Sequence, residues 1–372
     1  MNRRQFATTT GSFLGLAFGA RGRPAVSEQK ASATSDLYAR ALVVDCNLGP
    51  PLDDKLPLVP ALINMARSSG VTVMKTSIGG FNADLENTIQ EIAFFQQVIE
   101  THPDVYMQVR RVEDFAKAKR ENKLGIIFSF ESVQMLDGKV DRIEMFRNLG
   151  VRVMQLSYND TSPFGSGVMV PSDTAGLTDV GHLAVEKMNE IGVAIDLSHA
   201  NPATTRGAMA ASKRPVLMTH GGCSAVHPHP RNKTDEQLRA LADKGGVLGI
   251  YDLPYLTASP RQPRLEDYLA HMTHALTVCG EDHVGIGSDQ SIEPFDTSPK
   301  GLEEFQKIEA ERHAAGVAAP EEDRPLYVEG LNVPNRCEII ADSLARHGYP
   351  ARVTEKVLGI NFARAFADIW KA

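Results

Sequence analysis

From residue 41 onward the chain alternates short, nearly unbroken apolar runs with longer helix-forming runs, and this alternation limits the fold more than any other feature. Eight runs have strand character: 41–48, 71–78, 124–131, 151–158, 193–199, 215–220, 247–252 and 283–289. Few of them alternate apolar with polar residues, and continuous runs suit a parallel sheet buried on both faces. The stretches between them predict helices at 55–69, 82–101, 178–192, 234–244 and 265–279. Thr178 stands where an N-cap belongs, and Gly70, Gly192 and Gly245 stand where helices end. Eight β-then-α units in roughly 250 residues match a (β/α)8 TIM barrel. An open doubly wound sheet is the main rival, but it normally carries a phosphate-binding glycine loop after its first strand, and none follows 41–48. The chain from about residue 299 reads as a C-terminal helical appendage, so residues 36–372 are expected to form a single barrel domain.

A chain of 372 residues buries a large core without disulfides. Its 39 basic and 46 acidic residues leave a formal net charge of -7, which argues against the basic face of a nucleic-acid binder. Cys46, Cys223, Cys279 and Cys337 are widely spaced and form no C-x-x-C pair, so neither a zinc knuckle nor a disulfide framework is implied. Buried thiols are the expectation; Cys46 and Cys223 both fall near strand ends, which leaves a disulfide or a thiol ligand open. Arg3-Arg4-Gln5-Phe6 is a twin-arginine start, and the weakly apolar run 7–20 behind it is too short to span a bilayer. Residues 1–35 therefore read as a twin-arginine export signal and linker, with a periplasmic destination. No other stretch is long and apolar enough for a membrane helix.

Polar residues gather at the ends of the strand-like runs rather than at their starts: Asp45 and Asn47, Glu131, Tyr158 and Asn159, His199, His220, and Asp289. In a (β/α)8 barrel that end is the rim where active sites are built. Glu131, His199 and His220 make a three-ligand zinc set of the metallo-dependent hydrolase type, with one coordination position left for water. Asp289 is then the natural base. Arg231, in His229-Pro230-Arg231-Asn232, is placed to grip a substrate carboxylate, and Tyr158 and Asn159 are expected to face the substrate. His227 and His229 sit in turn chemistry and read as loop residues. Any one of these residues is more often structural; their convergence on one rim makes the case.

These residues resemble the membrane (renal-type) dipeptidases, zinc-dependent TIM-barrel peptidases. The resemblance runs from about Leu42 to the C-terminus, through Phe130-Glu131-Ser132, Gly176-Leu177-Thr178, Asp196-Leu197-Ser198-His199, Thr219-His220, His229-Pro230-Arg231-Asn232 and Gly285-Ile286-Gly287-Ser288-Asp289. It closes with Val357-Leu358-Gly359-Ile360-Asn361-Phe362 and Arg364. It implies that Glu131 bridges two metals, that His199 and His220 complete the second metal site, and that Arg231 binds the substrate carboxylate. Asp289 would stand beside the metals as base or amine anchor. The pattern breaks at two places. Where the family has Asp-Gly-His-Asn-Asp, this chain has Asp45-Cys46-Asn47-Leu48-Gly49, so the ligands of the first metal are an amide and a glycine. One tight zinc is therefore expected and a second is doubtful, with Asp45, two residues from Asn47 and hence of the same strand parity, as a further candidate ligand. Tyr158 replaces the family's histidine; its hydroxyl can donate to an oxyanion.

Three functional readings stand open at this level. The first is a metal-dependent hydrolase of a dipeptide or similar small amide, with Asp289 as base. The second is a metal-dependent epimerase, lyase or isomerase on a modified peptide or other small molecule. The third is a non-catalytic binding protein. Relatives often pair, which leaves a homodimer open.

Overall fold

Eight parallel strands close on themselves in the computed structural model, which describes residues 35–80 and 84–371. The expected export signal and its linker up to residue 34 lie outside the described residues. The strands are β1 (Val44–Asp45), β2 (Val73–Ser77), β3 (Leu124–Phe130), β4 (Val151–Gln155), β5 (Ala194–Asp196), β6 (Leu217–Cys223), β7 (Val247–Ile250) and β8 (Val284–Ile286). Each pairs in parallel with the next, and β8 pairs with β1 to complete the ring. Helices fill the crossovers as the sequence predicts. Thr178 accepts from the Gly181 N–H at 2.9 Å to cap Asp179–Ile191, and Gly192 ends that helix in the left-handed region at φ 68. Two starts come later than the sequence suggests. Pro60 at N1 sets the first helix at Pro60–Ser68, and Asp84 caps Leu85–Thr101.

Three details depart from the sequence expectation. The run 41–48 is not one strand: β1 ends at Asp45, and Leu48–Gly49 pairs instead with Gln290–Ser291 in a separate two-stranded sheet. A short extra strand, Tyr106–Gln108, pairs with the first half of β3, before β4 takes over from Phe128 onward. The last helix, Asn361–Ile369, is no appendage. Its Phe362, Phe366 and Ile369 join one apolar cluster with Val44, Val73, Ile127, Val153, Ala194, Leu217 and Val247, which come from seven barrel strands. That cluster is the floor of the barrel. As expected, all four cysteines are buried and free, and Cys46 belongs to the floor cluster.

Side chains two residues further along a strand share its face. Above the floor come Lys75, Ser129, Gln155, Asp196 and Thr219, a polar layer whose members are at most 1% exposed. One step higher, just past the end of β3, is Glu131. The barrel thus passes from apolar floor to polar layer to rim, and the histidines stand at the top. Glycine at 249 and 287 is required by close approach: a Cβ at either would fall on the Thr219 carbonyl oxygen of β6. No described helix is long and apolar enough to cross a membrane.

Candidate metal centre

Glu131, His199 and His220 are brought together at the rim, all buried, with one potential ligand atom from each lying within 4.8 Å of the others. Nε2 of His199 and Nε2 of His220 are 3.0 Å apart. The outer hydrogen bonds decide what those two nitrogens carry. Asn159 donates its amide to the Val317 carbonyl at 2.8 Å, so its Oδ1 must face His199 Nδ1 at 2.7 Å as an acceptor. His199 therefore bears its proton on Nδ1. Thr219 donates its hydroxyl to Asp196 Oδ2 at 2.6 Å, so the same oxygen accepts from His220 Nδ1 at 2.9 Å. Both rings are left with a lone pair on Nε2, and the two lone pairs point at one place. Burial first, then the charge of Arg231, holds the His199 imidazole well below its ordinary range, so the ring stays neutral. Two facing nitrogen lone pairs beside a carboxylate repel one another unless a cation lies among them. The donor set fits a borderline divalent ion such as zinc.

Asp196 organises this corner. Its Oδ1 accepts from the Ser198 N–H (3.0 Å), the Ser198 hydroxyl (2.6 Å) and the Thr219 N–H (3.1 Å), and its Oδ2 accepts from Thr219 Oγ1 and from Gln155 Nε2 at 3.2 Å. The carbonyls of the turn that carries His199 are gathered by two cations: Arg231 Nη1 donates to Ser198 at 2.6 Å, and Lys233 Nζ donates to Leu197 and Ala200 at 3.1 and 3.0 Å. Burial, then the neighbouring Arg231, pushes the Lys233 amine down to about 7.

The remaining sequence candidates divide. Asp289 reaches the site, with Oδ2 at 4.0 Å from His220 Nε2. Its Oδ1 accepts from Asn47 Nδ2 at 2.6 Å, so the amide standing where the family has a histidine holds this carboxylate instead. Arg231 is buried, and its Nη2 has no hydrogen-bond partner among the described residues. Tyr158 stacks on His199 with centroids 4.3 Å apart. Asn159 was expected on the substrate; both polar ends of its amide are instead consumed by His199 and Val317, so it orients the histidine. Asp45 is not in the cluster. Its carboxylate accepts from the Ser288 N–H (3.0 Å) and hydroxyl (2.6 Å), and Cys46 rather than Asp45 faces the barrel interior. Asp45 and Asn47 do not share a face, because β1 stops at Asp45 and alternation does not carry through the turn to Asn47.

Sequence reasoning missed the part supplied by residues 299–329. Arg312, in helix Pro299–Ala314, points both terminal nitrogens at the Tyr158 hydroxyl at 3.4 Å and pairs with Glu322 at 2.8 Å. Glu322 in turn accepts from the Tyr255 hydroxyl at 2.7 Å. His227 and His229 are more than loop residues: they meet Glu321 at 3.2 Å and the Pro320 carbonyl at 2.8 Å, and so tie the β6 loop to this segment. No local pattern marks Arg312, since its neighbours in sequence are ordinary solvent-facing helix residues.

A parallel barrel with a buried His-His-Glu set at the C-terminal rim defines a metallo-dependent hydrolase fold. The membrane dipeptidase model (peptidase family M19) matches residues 63–310, and the chain belongs to that family. Dipeptidase tcpJ of Claviceps purpurea is 25% identical over 290 residues, 77% of this chain and 61% of that protein, so the chain spans about three-fifths of that relative's length. An amidohydrolase of Pseudomonas aeruginosa, known as a crystal structure, superposes with a TM-score of 0.78 at 26% identity, over 91% of this chain and 99% of the other. A Rhodobacter sphaeroides metallopeptidase, solved with a phosphinate mimic of the dipeptide L-Ala-D-Ala, superposes at 0.72 with 18% identity, over 89% and 99% of the two chains.

Proposed function

We propose that the chain hydrolyses a dipeptide or similar small amide, using one tightly held zinc ion. The observation that carries this reading is the pairing of a buried, unsatisfied Arg231 Nη2 with the His199–His220–Glu131 cluster, to which Arg231 lies close enough to bias the His199 charge. A buried guanidinium with one arm spent on Ser198 and the other unspent is a receptor for a carboxylate, the group every dipeptide ends in. A cation held by Glu131, His199 and His220 supplies Lewis acidity and makes water nucleophilic near neutral pH. Asp289, aimed by Asn47, is the base that takes a proton from the attacking water and returns it to the departing amine. The Tyr158 hydroxyl accepts from Arg312 and is the donor toward the oxyanion. The missing histidine and aspartate near Asn47 and Gly49 support one metal rather than two. The twin-arginine start supports work in the periplasm.

The test joins metal content to turnover. Protein purified without chelators is assayed for zinc per chain and for amine release from a panel of dipeptides, L-Ala-D-Ala among them. About one zinc per chain is expected, with loss of both zinc and hydrolysis in His220→Ala. Arg231→Met is expected to raise KM at least tenfold for free dipeptides and to affect C-terminally amidated ones much less. Hydrolysis that persists in metal-free His220→Ala sinks the proposal. Solvent deuterium entering the substrate without cleavage favours the isomerase class instead.

A further inference from the structure

Among the described residues of the polar layer of the barrel, Lys75 is the basic side chain. It lies in the middle of β2, in register with Ile127 of β3, and on the same face as Val73, a member of the floor cluster. Its side chain is 0% exposed, and its Nζ has no hydrogen-bond partner among the described residues. The nearest anion is Asp196, 3.9 Å away and equally buried. β5 stands three strands further round the ring from β2, so the four-carbon stem spans the barrel interior to bring its ammonium there. A lysine is a costly filler for such a layer, because an ammonium loses its hydration on burial and recovers it only from a well-placed countercharge. Asp196 needs the same compensation. Its hydrogen-bond donors are all neutral: two backbone N–H groups, two hydroxyls and an amide. Lys233 also senses Asp196, but its ammonium is committed to the Leu197 and Ala200 carbonyls.

We propose that Lys75 is a positioning residue for the metal centre: its ammonium holds Asp196 as a charged acceptor for the Thr219 hydroxyl, and Thr219 thereby fixes His220 with Nε2 turned to the cation. The inference rests on the reading that Glu131, His199 and His220 bind a metal. Its chain of contacts is short: Lys75 to Asp196 at 3.9 Å, Asp196 to Thr219 at 2.6 Å, Thr219 to His220 Nδ1 at 2.9 Å. If the carboxylate were a weaker acceptor, the Thr219 hydroxyl would be free to turn its proton to His220 Nδ1, and the ring would move its own proton to the nitrogen needed for the metal.

The test is zinc affinity, measured on full-length apoprotein by competition with a chromogenic chelator, beside thermal unfolding of the same metal-free samples. Lys75→Met keeps the length of the side chain and removes the charge. It is expected to weaken zinc binding by about 10- to 100-fold, the range typical for loss of an outer partner of a metal ligand. Histidine 15N NMR of the apoprotein, with His220 assigned by difference against His220→Ala, is expected to show the Nδ1–H form in the wild type and a mixture of tautomers in the variant. A filler role would lower the unfolding temperature and move neither readout, and zinc affinity within twofold of wild type overturns the proposal. Should Lys75→Met not fold, Lys75→Met with Asp196→Asn removes both charges together. That pair is expected to fold and to bind zinc at least tenfold more weakly than wild type, and wild-type affinity in it overturns the proposal equally. A wild-type protein that takes up no zinc sinks the metal reading and this inference with it, whereas tight wild-type binding with an unchanged Lys75→Met sinks this inference alone.

Discussion

Replacing Asn159 separates metal affinity from fold stability, because its amide serves each with a different end. Oδ1 accepts from His199 Nδ1 at 2.7 Å, and Nδ2 donates to the Val317 carbonyl at 2.8 Å. Asn159→Leu preserves size and abolishes both bonds. A buried N–H and a buried C=O are then left unpaired, at about 1–3 kcal/mol each, so the apoprotein is expected to lose about 2–6 kcal/mol. The imidazole also loses the acceptor that selects its tautomer, and zinc affinity is expected to fall about 10- to 100-fold. Asn159→Asp behaves differently. It keeps an acceptor for His199 and makes it anionic, but it turns a carboxylate oxygen on the Val317 carbonyl. Stability should fall again, while zinc binds at least as tightly as in wild type. The assays are urea unfolding of the apoprotein and chelator competition for zinc. If the Leu variant binds zinc like wild type, or if the Asp variant loses affinity in step with the Leu variant, the tautomer argument is wrong.

Gly287→Ala places a methyl group on the Thr219 carbonyl oxygen, next to His220, where only backbone can yield. It is expected to cost at least about 3 kcal/mol and to remove tight zinc binding; Gly285→Ala, whose methyl meets the Phe362 ring at the floor, should destabilise and leave zinc affinity intact. Equal zinc loss in both variants would refute the assignment of Gly287 to the site. Burial, then the nearby Glu322, raises the Glu309 carboxyl from 4.5 to about 7. Its folded state therefore binds a proton that the unfolded chain releases, and the stability tied to it is full below about pH 4.5 and lost as pH rises through about 7. Urea midpoints should fall between pH 5 and pH 8 in wild type and fall less in Glu309→Gln; identical pH slopes would show that Glu309 does not titrate in this window.

The strand-like runs, the helix caps at Thr178 and Gly192 and the rim residues Glu131, His199, His220 and Asp289 were legible in the amino-acid sequence, because each is a local pattern or the end of one. A buried parallel strand must be apolar along its length, and a helix must begin and stop with particular residues, whatever surrounds it. The chain alone therefore determined the barrel and the end of it where chemistry gathers. What it left undecided was settled by contacts between residues far apart in sequence. Asp45 turned away from the cluster because β1 is only two residues long, and strand parity means nothing past its last pair. Arg312 reached Tyr158 across 154 positions, and Asn159 met Val317 across 158. The floor received Phe362 and Phe366 from a helix that reads by itself as an outlying one. Lys75, an odd cation in an apolar run, became intelligible only once the ring had closed and set Asp196 opposite it. Hydrophobic periodicity records which face of an element is buried, but a hydrogen bond depends on the position of a partner that only the folded barrel supplies.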